Sequence, residues 1–208
     1  MDDRDDATLL HAWKAGDGSS GEVLFERYYE LVARFFANKA TVDRADLVQK
    51  TFIACLEKVD GLRNAASFRS FLFGVARFEL LHHYRRKHRR ETDLDGDRES
   101  VCDLDPSPSR IIAKKQEERL LLEALRRIPI DLQLVLELSY WEELSSAEIA
   151  DVVGVPVGTV KSRVRRAREQ LDAQLKVLAE TDAVLQSTMV NLDGWARSLR
   201  EGIAVERG

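Results

Sequence analysis

Cysteine is scarce in this sequence of 208 residues, which contains only Cys55 and Cys102. The two do not form a Cys-x-x-Cys pair, and no cluster of histidine and cysteine has metal-ligand spacing, so we predict no zinc site and no cofactor. Cys55 falls within an apolar helical pattern and is interpreted as a small core residue. Cys102 lies in a polar segment, and nothing in the sequence supports a redox pairing of the two thiols.

Long hydrophobic runs are also missing. No apolar stretch reaches the ~18 residues that cross a bilayer. The N-terminus reads MDDRDD and is acidic, whereas a secretory signal begins with a basic segment followed by an apolar core. We therefore expect no membrane insertion and a cytoplasmic location.

Strand patterns and catalytic motifs are absent as well. No β-branched run alternates with period two, which favours an all-α fold. The sequence has no glycine-rich phosphate loop, no Ser/His/acid constellation and no paired carboxylates in a structured segment. We therefore predict that the protein is not an enzyme.

Positive charge is present but unevenly distributed. The formal net charge is −4, which taken alone argues against nucleic-acid binding. Two basic patches nevertheless stand out, HHYRRKHRR at His82–Arg90 and KSRVRRAR at Lys161–Arg168, and an acidic stretch lies between them. This distribution indicates two DNA contacts. The alternative is that both patches are solvated helix faces.

The strongest local motif is LSSAEIADVVGVPVGTVKSRVRRAREQL, which begins at Leu144. Ser145 and Glu148 form a predicted capping box, Gly154 stands where a left-handed cap is needed, and Pro156 precedes the next helix. These signals predict a helix-turn-helix, whose second helix enters the major groove. An ordinary helical hairpin with a basic face is the alternative. The predicted base-reading and phosphate-positioning residues are Thr159, Lys161, Ser162, Arg163, Arg165 and Arg166.

The first ninety residues also read as helices. We predict a short helix over Ala7–Ala15 with Asp6 as its cap, and a second helix opened by a capping box at Ser19–Glu22 and running to about Ala40. A third should extend from its cap, Asp43, to Val59, and Ser67 should open a fourth.

These motifs together resemble the extracytoplasmic-function sigma factors of the sigma-70 family. GTVKSRVRRAR is similar to their promoter-reading C-terminal domain. Three segments are similar to their other domain: LFERYYELVARFF, DLVQKTFIACLEKV and SFRSFLFGVARFELLHHYRRKHRR. The resemblance covers roughly residues 20–175. It implies a protein that binds core RNA polymerase and directs promoter recognition and transcription initiation.

The resemblance also implies roles for individual residues. The helix that docks on the coiled coil of the polymerase β′ subunit would present Asp46, Leu47, Gln49 and Lys50, although the family usually has an acid where Lys50 stands. The loop over Val59–Ala66 would capture a flipped base of the minus-10 element, with Arg63 at the backbone and Asn64 on the base. Duplex phosphates upstream would be held by Tyr84, Arg85, Arg86, Lys87, Arg89 and Arg90.

The phenylalanines that follow this loop have two interpretations. Phe68, Phe71 and Phe73 could stack on separated bases or pack in the core, and core packing is favoured for the first two.

The resulting expectation is two small helical domains joined by a flexible acidic linker. Residues 1–90 would bind polymerase and the minus-10 element, 91–108 would form the linker, 109–178 would bind the minus-35 element, and 179–208 would be a helical extension. The linker has seven acids between Glu91 and Asp105 and prolines at 106 and 108, so it is expected to be mobile. Expected partners are the polymerase β′ and β subunits, promoter DNA, and an anti-sigma factor or other regulator.

Two alternatives to this function remain. A free-standing regulator that binds an operator would share the helix-turn-helix but would not need the first domain. The other alternative is a sigma-like protein that has lost its activity, and Lys50 is the only residue that points to it.

A heptad-like seam with one interruption, at Asp182, begins at Leu171 and continues into the last thirty residues. The seam predicts a helix over about Thr181–Arg200. This helix could pack on its own domain, or it could dock on the first domain or on a regulator. Disorder of the segment is the remaining alternative. The seam consists of Leu171, Leu175, Leu178, Asp182, Leu185, Met189, Leu192, Ala196 and Leu199.

Overall fold

A computed structural model describes residues 3–40, 42–62, 68–92 and 116–179, and within these ranges every regular element is helical. The chain divides into two compact units. Unit 1 contains the chain up to Phe36 and from Val42 to Asp95, and unit 2 contains Ala37–Thr41 and the chain from Gly96 onward. The all-α prediction is confirmed.

Among its described residues, unit 1 has four helices: α1 (Asp6–Lys14), α2 (Gly18–Ala37), α3 (Arg44–Lys58) and α4 (Phe68–Thr92), with a 3₁₀ turn at Val59–Gly61 after α3. Their apolar faces meet in one core. Cys55 is fully buried there, as predicted, and burial raises the pKa of its thiol to about 12. The largest fully buried apolar side chains of this core are Leu9, Leu10, Leu24, Phe36, Leu47, Phe68, Leu72, Phe73 and Leu80.

The first helix is capped by Asp5 and not by Asp6. The Thr8 N–H donates to Asp5 Oδ1 at 2.7 Å, and the hydrogen bonds from Thr8 lower the pKa of that carboxyl. Asp6 lies inside the helix, where it accepts a hydrogen bond from Arg27 Nη1 at 2.5 Å and another from the Tyr28 hydroxyl. The predicted cap was therefore wrong by one residue, because a distant arginine and tyrosine engage Asp6.

The second helix begins at Gly18, before the predicted capping box. The Asp17 carboxylate accepts from Ser19 N–H at 3.1 Å and from the Ser19 and Ser20 hydroxyls at 2.6 Å. Those hydroxyls thus act as donors to a cap that precedes them, and the prediction that Ser19 starts the helix was wrong. The helix ends at Ala37, three residues before the predicted end.

Unit 2 contains α5 (Gln116–Arg126), α6 (Ile130–Tyr140), α7 (Ser146–Val153) and α8 (Val157–Leu178). Pro129 immediately precedes α6, and a proline at this point prevents α5 from continuing into α6. α8 packs on α5, α6 and α7, and the residues that it buries against them are Val160, Ala167, Leu171 and Leu175.

A polar cluster lies in the interior of unit 2. Lys39, from the Ala37–Thr41 segment, pairs with the Glu137 carboxylate of α6. Gln133 Nε2 donates to the same carboxylate at 2.7 Å. Burial raises the pKa of Glu137, and Lys39 opposes that shift. Removing one partner of such a buried pair leaves the other charge uncompensated, so the cluster is sensitive to substitution.

Several predictions fall outside the described residues. They concern Cys102, most of the 91–108 linker, and the helix over Thr181–Arg200. Where the structure is described, it has no helix long and apolar enough to cross a membrane.

Candidate nucleic-acid interface

Local hydrogen bonds define both ends of α7 in the predicted helix-turn-helix. Ser145 Oγ accepts from the Glu148 N–H at 3.2 Å, and the Glu148 carboxylate accepts from the Ser145 N–H at 2.8 Å. Gly154 has φ +70° and donates its N–H to Ala150 O at 2.8 Å. Pro156 then precedes α8. The predicted capping box, the left-handed cap and the helix start are all confirmed.

The outer face of α8 carries the predicted base-reading residues. Lys161, Ser162, Arg165 and Arg166 are exposed, and Thr159 and Arg163 are partly exposed. The Ser162 hydroxyl donates to Thr159 O at 2.9 Å. Arg165 lies 3.5 Å from Glu169, with both side chains largely exposed, so this contact contributes little free energy and leaves the guanidinium available to DNA.

One cation of this helix has a further role. The Arg168 guanidinium lies over the Tyr140 ring at 5.5 Å from its centroid, which restrains it beside the base-reading residues. Arg168 belongs to the basic patch at Lys161–Arg168 but was not among the predicted contact residues. The three-residue spacing between Arg165 and Arg168 is the one sequence feature that could have predicted a contact for Arg168.

The basic end of α4 presents Arg85, Arg86, Lys87 and Arg89 to solvent. Tyr84 differs, because it is only 9% exposed and belongs to the core, which leaves little of its side chain to meet a phosphate. Arg90 lies in the same helix, and its side chain is outside the described residues, as are Arg63 and Asn64.

The phenylalanines of α4 divide between the core and its edge. Phe68 and Phe73 are buried, and Phe71 is partly exposed. Core packing is thereby confirmed for Phe68.

The exposed face of α3 contains Asp46, Gln49 and Lys50. Leu47, which was also expected to meet the polymerase, is 1% exposed and faces the core. Lys50 Nζ lies 2.5 Å from Asp46 Oδ2, one turn earlier. The position that departs from the family therefore forms an intrahelical ion pair with the predicted contact residue.

A groove of about 680 Å³ lies between α3 and α4 in unit 1. Lys50, Ile53 and Glu57 line one side, and Glu79 and His83 line the other. His83 Nε2 is 3.6 Å from Asp43 Oδ2. Burial lowers the pKa of His83 while Asp43 opposes the shift. No group of three or more metal-ligating side chains occurs in the described ranges.

Comparison with known proteins agrees with this geometry. Residues 24–90 match the family described as "Sigma-70 region 2", and residues 118–171 match "Sigma-70, region 4". The extracytoplasmic-function RNA polymerase sigma-E factor of Haemophilus influenzae is 28% identical over 183 residues, covering 83% of this chain and 96% of that one. The RNA polymerase sigma-H factor of Pseudomonas aeruginosa is 29% identical over 187 residues, covering 83% and 95%.

Two solved structures share the fold. The sigma factor RpoE from Bartonella quintana, in complex with the anti-sigma factor NepR, has a TM-score of 0.59 and 26% identity, covering 77% of this chain and 98% of that one. CnrH, in complex with the cytosolic domain of CnrY, has a TM-score of 0.59 and 23% identity, covering 84% and 99%.

Proposed function

Because this chain belongs to the extracytoplasmic-function branch of the sigma-70 family, whose members bind core RNA polymerase and direct it to promoters, we propose a division of labour among its helices. Unit 2 reads the minus-35 element through α8. Unit 1 docks on polymerase through α3 and engages the minus-10 region through α4 and the loop that precedes it. The match to region 2 disfavours a free-standing operator-binding regulator, since such a protein would not need unit 1.

The observation that supports minus-35 reading is the way α8 is held. The capping box of Ser145 and Glu148 fixes the start of α7, and the positive φ of Gly154 sets the turn into α8. Val160 and Ala167 bury the inner face of α8. This leaves arginines projecting from a rigid helix, where a bidentate contact with guanine provides sequence discrimination. The neighbouring cations position the helix on phosphates.

The proposed polymerase contact is the exposed face of α3. Asp46 and Gln49 offer an acceptor and an amide, and Lys50 neutralises part of the acid through its intrahelical pair. The family usually has an acid at the position of Lys50, so the proposed contact surface of this chain carries a different charge there.

The exposed Arg85, Arg86, Lys87 and Arg89 of α4 would follow duplex phosphates upstream of the minus-10 element. Arg63 and Asn64 would face the flipped base, a proposal that rests on the family resemblance.

A protein inhibitor is the third proposed partner. The Bartonella quintana sigma factor that shares this fold was solved in complex with an anti-sigma factor, and we extend this kind of partner to the present chain. We also propose that the protein acts with polymerase in the cytoplasm and that it contributes DNA recognition and no catalysis.

Substitution of Arg166 by alanine tests the role of α8. Holoenzyme assembled with Arg166→Ala should bind promoter DNA more weakly by about 1–3 kcal/mol, the value of one bidentate base contact. The measurement is a gel-shift titration at fixed salt on a promoter fragment and on a fragment with an altered minus-35 element.

Lys176→Ala provides a matched control on the same helix. Lys176 is exposed and pairs with Asp172 one turn earlier, far from the proposed base-reading end. Its loss should leave promoter affinity unchanged. Equal losses for both variants, or an Arg166→Ala loss of the same size on both fragments, would show that α8 does not read sequence.

A further inference from the structure

The groove between α3 and α4 presents apolar surface to solvent. Leu47 and Ala54 are buried at its base, whereas Ile53 is 46% exposed. Leu56, three positions further along α3, is 49% exposed. Adjacent exposed apolar side chains of this size mark contact surfaces. The groove, of about 680 Å³, is therefore a candidate docking site for a partner segment.

One end of the groove is basic. His83 Nε2 lies 3.6 Å from Asp43 Oδ2, so the start of α3 lies beside this part of α4. Arg86 and Lys87 follow His83 by three and four positions, line the groove and are exposed. Asp46 is already engaged in the ion pair within α3. The two cations of α4 therefore outnumber the one remaining acid at this end, Asp43.

The other end of the groove is acidic. Lys58 Nζ lies over the Phe78 ring at 5.0 Å, so the end of α3 lies beside the middle of α4. Glu57 and Glu79, the sequence neighbours of these two residues, both line the groove. Neither forms an ion pair with another side chain in the part of the chain that the structure describes. Two carboxylates at one end of a groove attract a cationic side chain of a docking segment.

The C-terminal extension, residues 179–208, does not prolong α8. That helix ends at Leu178, and the backbone of the next residue is extended, with φ −69° and ψ 124°. The large apolar side chains that unit 2 exposes among its described residues, Val157 and Val177, lie near opposite ends of α8. They do not form a strip that could cover the rest of the seam.

The sequence of the extension complements the groove. A helix over residues 181–200, which the heptad-like pattern predicts, places Leu185, Met189 and Leu192 within about 60° of one another around its axis. Residues 183–192 carry no charge. Acids precede this uncharged part, and two arginines and one acid follow it within the predicted helix: Glu180 and Asp182 before it, and Asp193, Arg197 and Arg200 after it.

The charged ends of the groove and of the extension are equally far apart. With a rise of about 1.5 Å per residue, Asp43 and Glu57 are about 21 Å apart along α3, and Asp182 and Arg197 would be about 22 Å apart along the predicted helix. A helix that lies parallel to α3 therefore brings its acids to the basic end and its arginines to the acidic end, while its apolar stripe covers Ile53. The opposite orientation would bring like charges together.

We propose that the C-terminal extension docks as a helix in the groove between α3 and α4 and covers part of the surface that meets polymerase. This proposal rests on the proposed function, because Asp46 and Lys50 line the groove and belong to the proposed polymerase contact. The extension and polymerase then compete for α3, so the free protein inhibits itself. A protein whose binding-competent state is populated only in part has its apparent affinity reduced by that fraction.

Photo-crosslinking in the free, full-length protein locates the extension without polymerase. Met189 is replaced by p-benzoylphenylalanine, and the peptides joined by irradiation are identified by mass spectrometry. The proposal expects a cross-link within one chain to α3 or α4, on the peptide that carries Ile53 or Glu79. Cross-links to α5–α8 would place the extension on unit 2, and cross-links between chains would show that the groove holds the extension of a second copy. Either result, or the absence of a cross-link to the groove, would overturn the proposal.

Titration of core polymerase measures the competition. Removal of residues 181–208 should lower the apparent Kd for core polymerase about tenfold, the value for a groove that is occupied about nine-tenths of the time. Arg197→Glu should lower this Kd about two- to fourfold, since it removes one surface ion pair. Glu79→Arg in the same chain should reverse that gain. Glu79→Arg in the truncated chain measures any direct effect of position 79 on polymerase.

Arg207→Glu is the matched control, because it changes the net charge equally but lies beyond the seam. It should leave the Kd unchanged. Equal effects of Arg197→Glu and Arg207→Glu, or a truncated chain that binds core polymerase no more tightly than the full chain, would refute the competition. If the cross-link forms but no form of the chain binds core polymerase, the function proposed for the chain is contradicted and the docking is not.

Discussion

Gly154 and Gly158 flank the turn of the helix-turn-helix, and alanine at each should change stability in opposite directions. A Cβ added at either position would meet no atom within 4 Å, so steric crowding plays no part in either substitution. The difference lies in the backbone, because Gly154 has φ +70° whereas Gly158 lies in the first turn of α8. An L-residue forced into the left-handed region costs about 1–2 kcal/mol. Replacing glycine by alanine in a helix gains about 0.5–1 kcal/mol.

Urea denaturation of the full chain, followed by far-UV circular dichroism, measures both effects. With a slope of about 2 kcal/mol/M, Gly154→Ala should lower the midpoint of the unit 2 transition by about 0.5–1 M, and Gly158→Ala should raise it. Gly154→Asn should lose less, since asparagine tolerates this conformation better than other side chains. Equal shifts for the two alanine variants, or a stabilising Gly154→Ala, would refute the argument that the left-handed cap defines this turn.

Two further predictions concern unit 1. Gly21→Ala should destabilise the protein by about 1–3 kcal/mol in thermal unfolding, because its Cβ would meet the Trp13 ring at 2.8 Å. Gly18→Ala is the control, because a Cβ there would enter open space, and it should not destabilise the protein. Equal effects of the two substitutions would contradict the close contact between Gly21 and Trp13. Cys55 should resist alkylation at pH 8. Mass spectrometry can compare its rate of alkylation with that of Cys102 in the same protein. Rapid labelling of Cys55 in the native protein would disprove its burial. The unfolded thiol ionises near pH 8.5 and the folded one at about 12, so the free energy of unfolding contributed by Cys55 should fall as pH rises through that interval.

The helix-turn-helix could be predicted from the sequence almost to the residue. Its defining contacts join Ser145 to Glu148 and Gly154 to Ala150, which are three and four positions apart. Such signals are local, so a linear reading finds them. The caps of α1 and α2 were misplaced because adjacent candidates compete, and the outcome at Asp6 depends on Arg27 and Tyr28, more than twenty positions away.

The candidate site was less predictable, because the direction of a side chain depends on packing. The basic run was predicted to meet DNA as a block, yet Tyr84 follows buried Leu80 at helical spacing and faces the core. Leu47 is buried in the same way within the docking helix. Helical periodicity could have flagged both residues. The exposure of the Phe78 side chain of α4, which is 52%, could not be predicted from periodicity, since it depends on how α3 and α4 pack.

Transcription by purified core RNA polymerase with and without this protein tests the central claim most directly. Mapping of transcript 5′ ends on genomic DNA should reveal discrete start sites that appear only when the protein is added, and the protein should co-elute with core enzyme in size-exclusion chromatography. A protein that neither binds core enzyme nor creates new start sites would contradict its assignment as a promoter-recognition subunit.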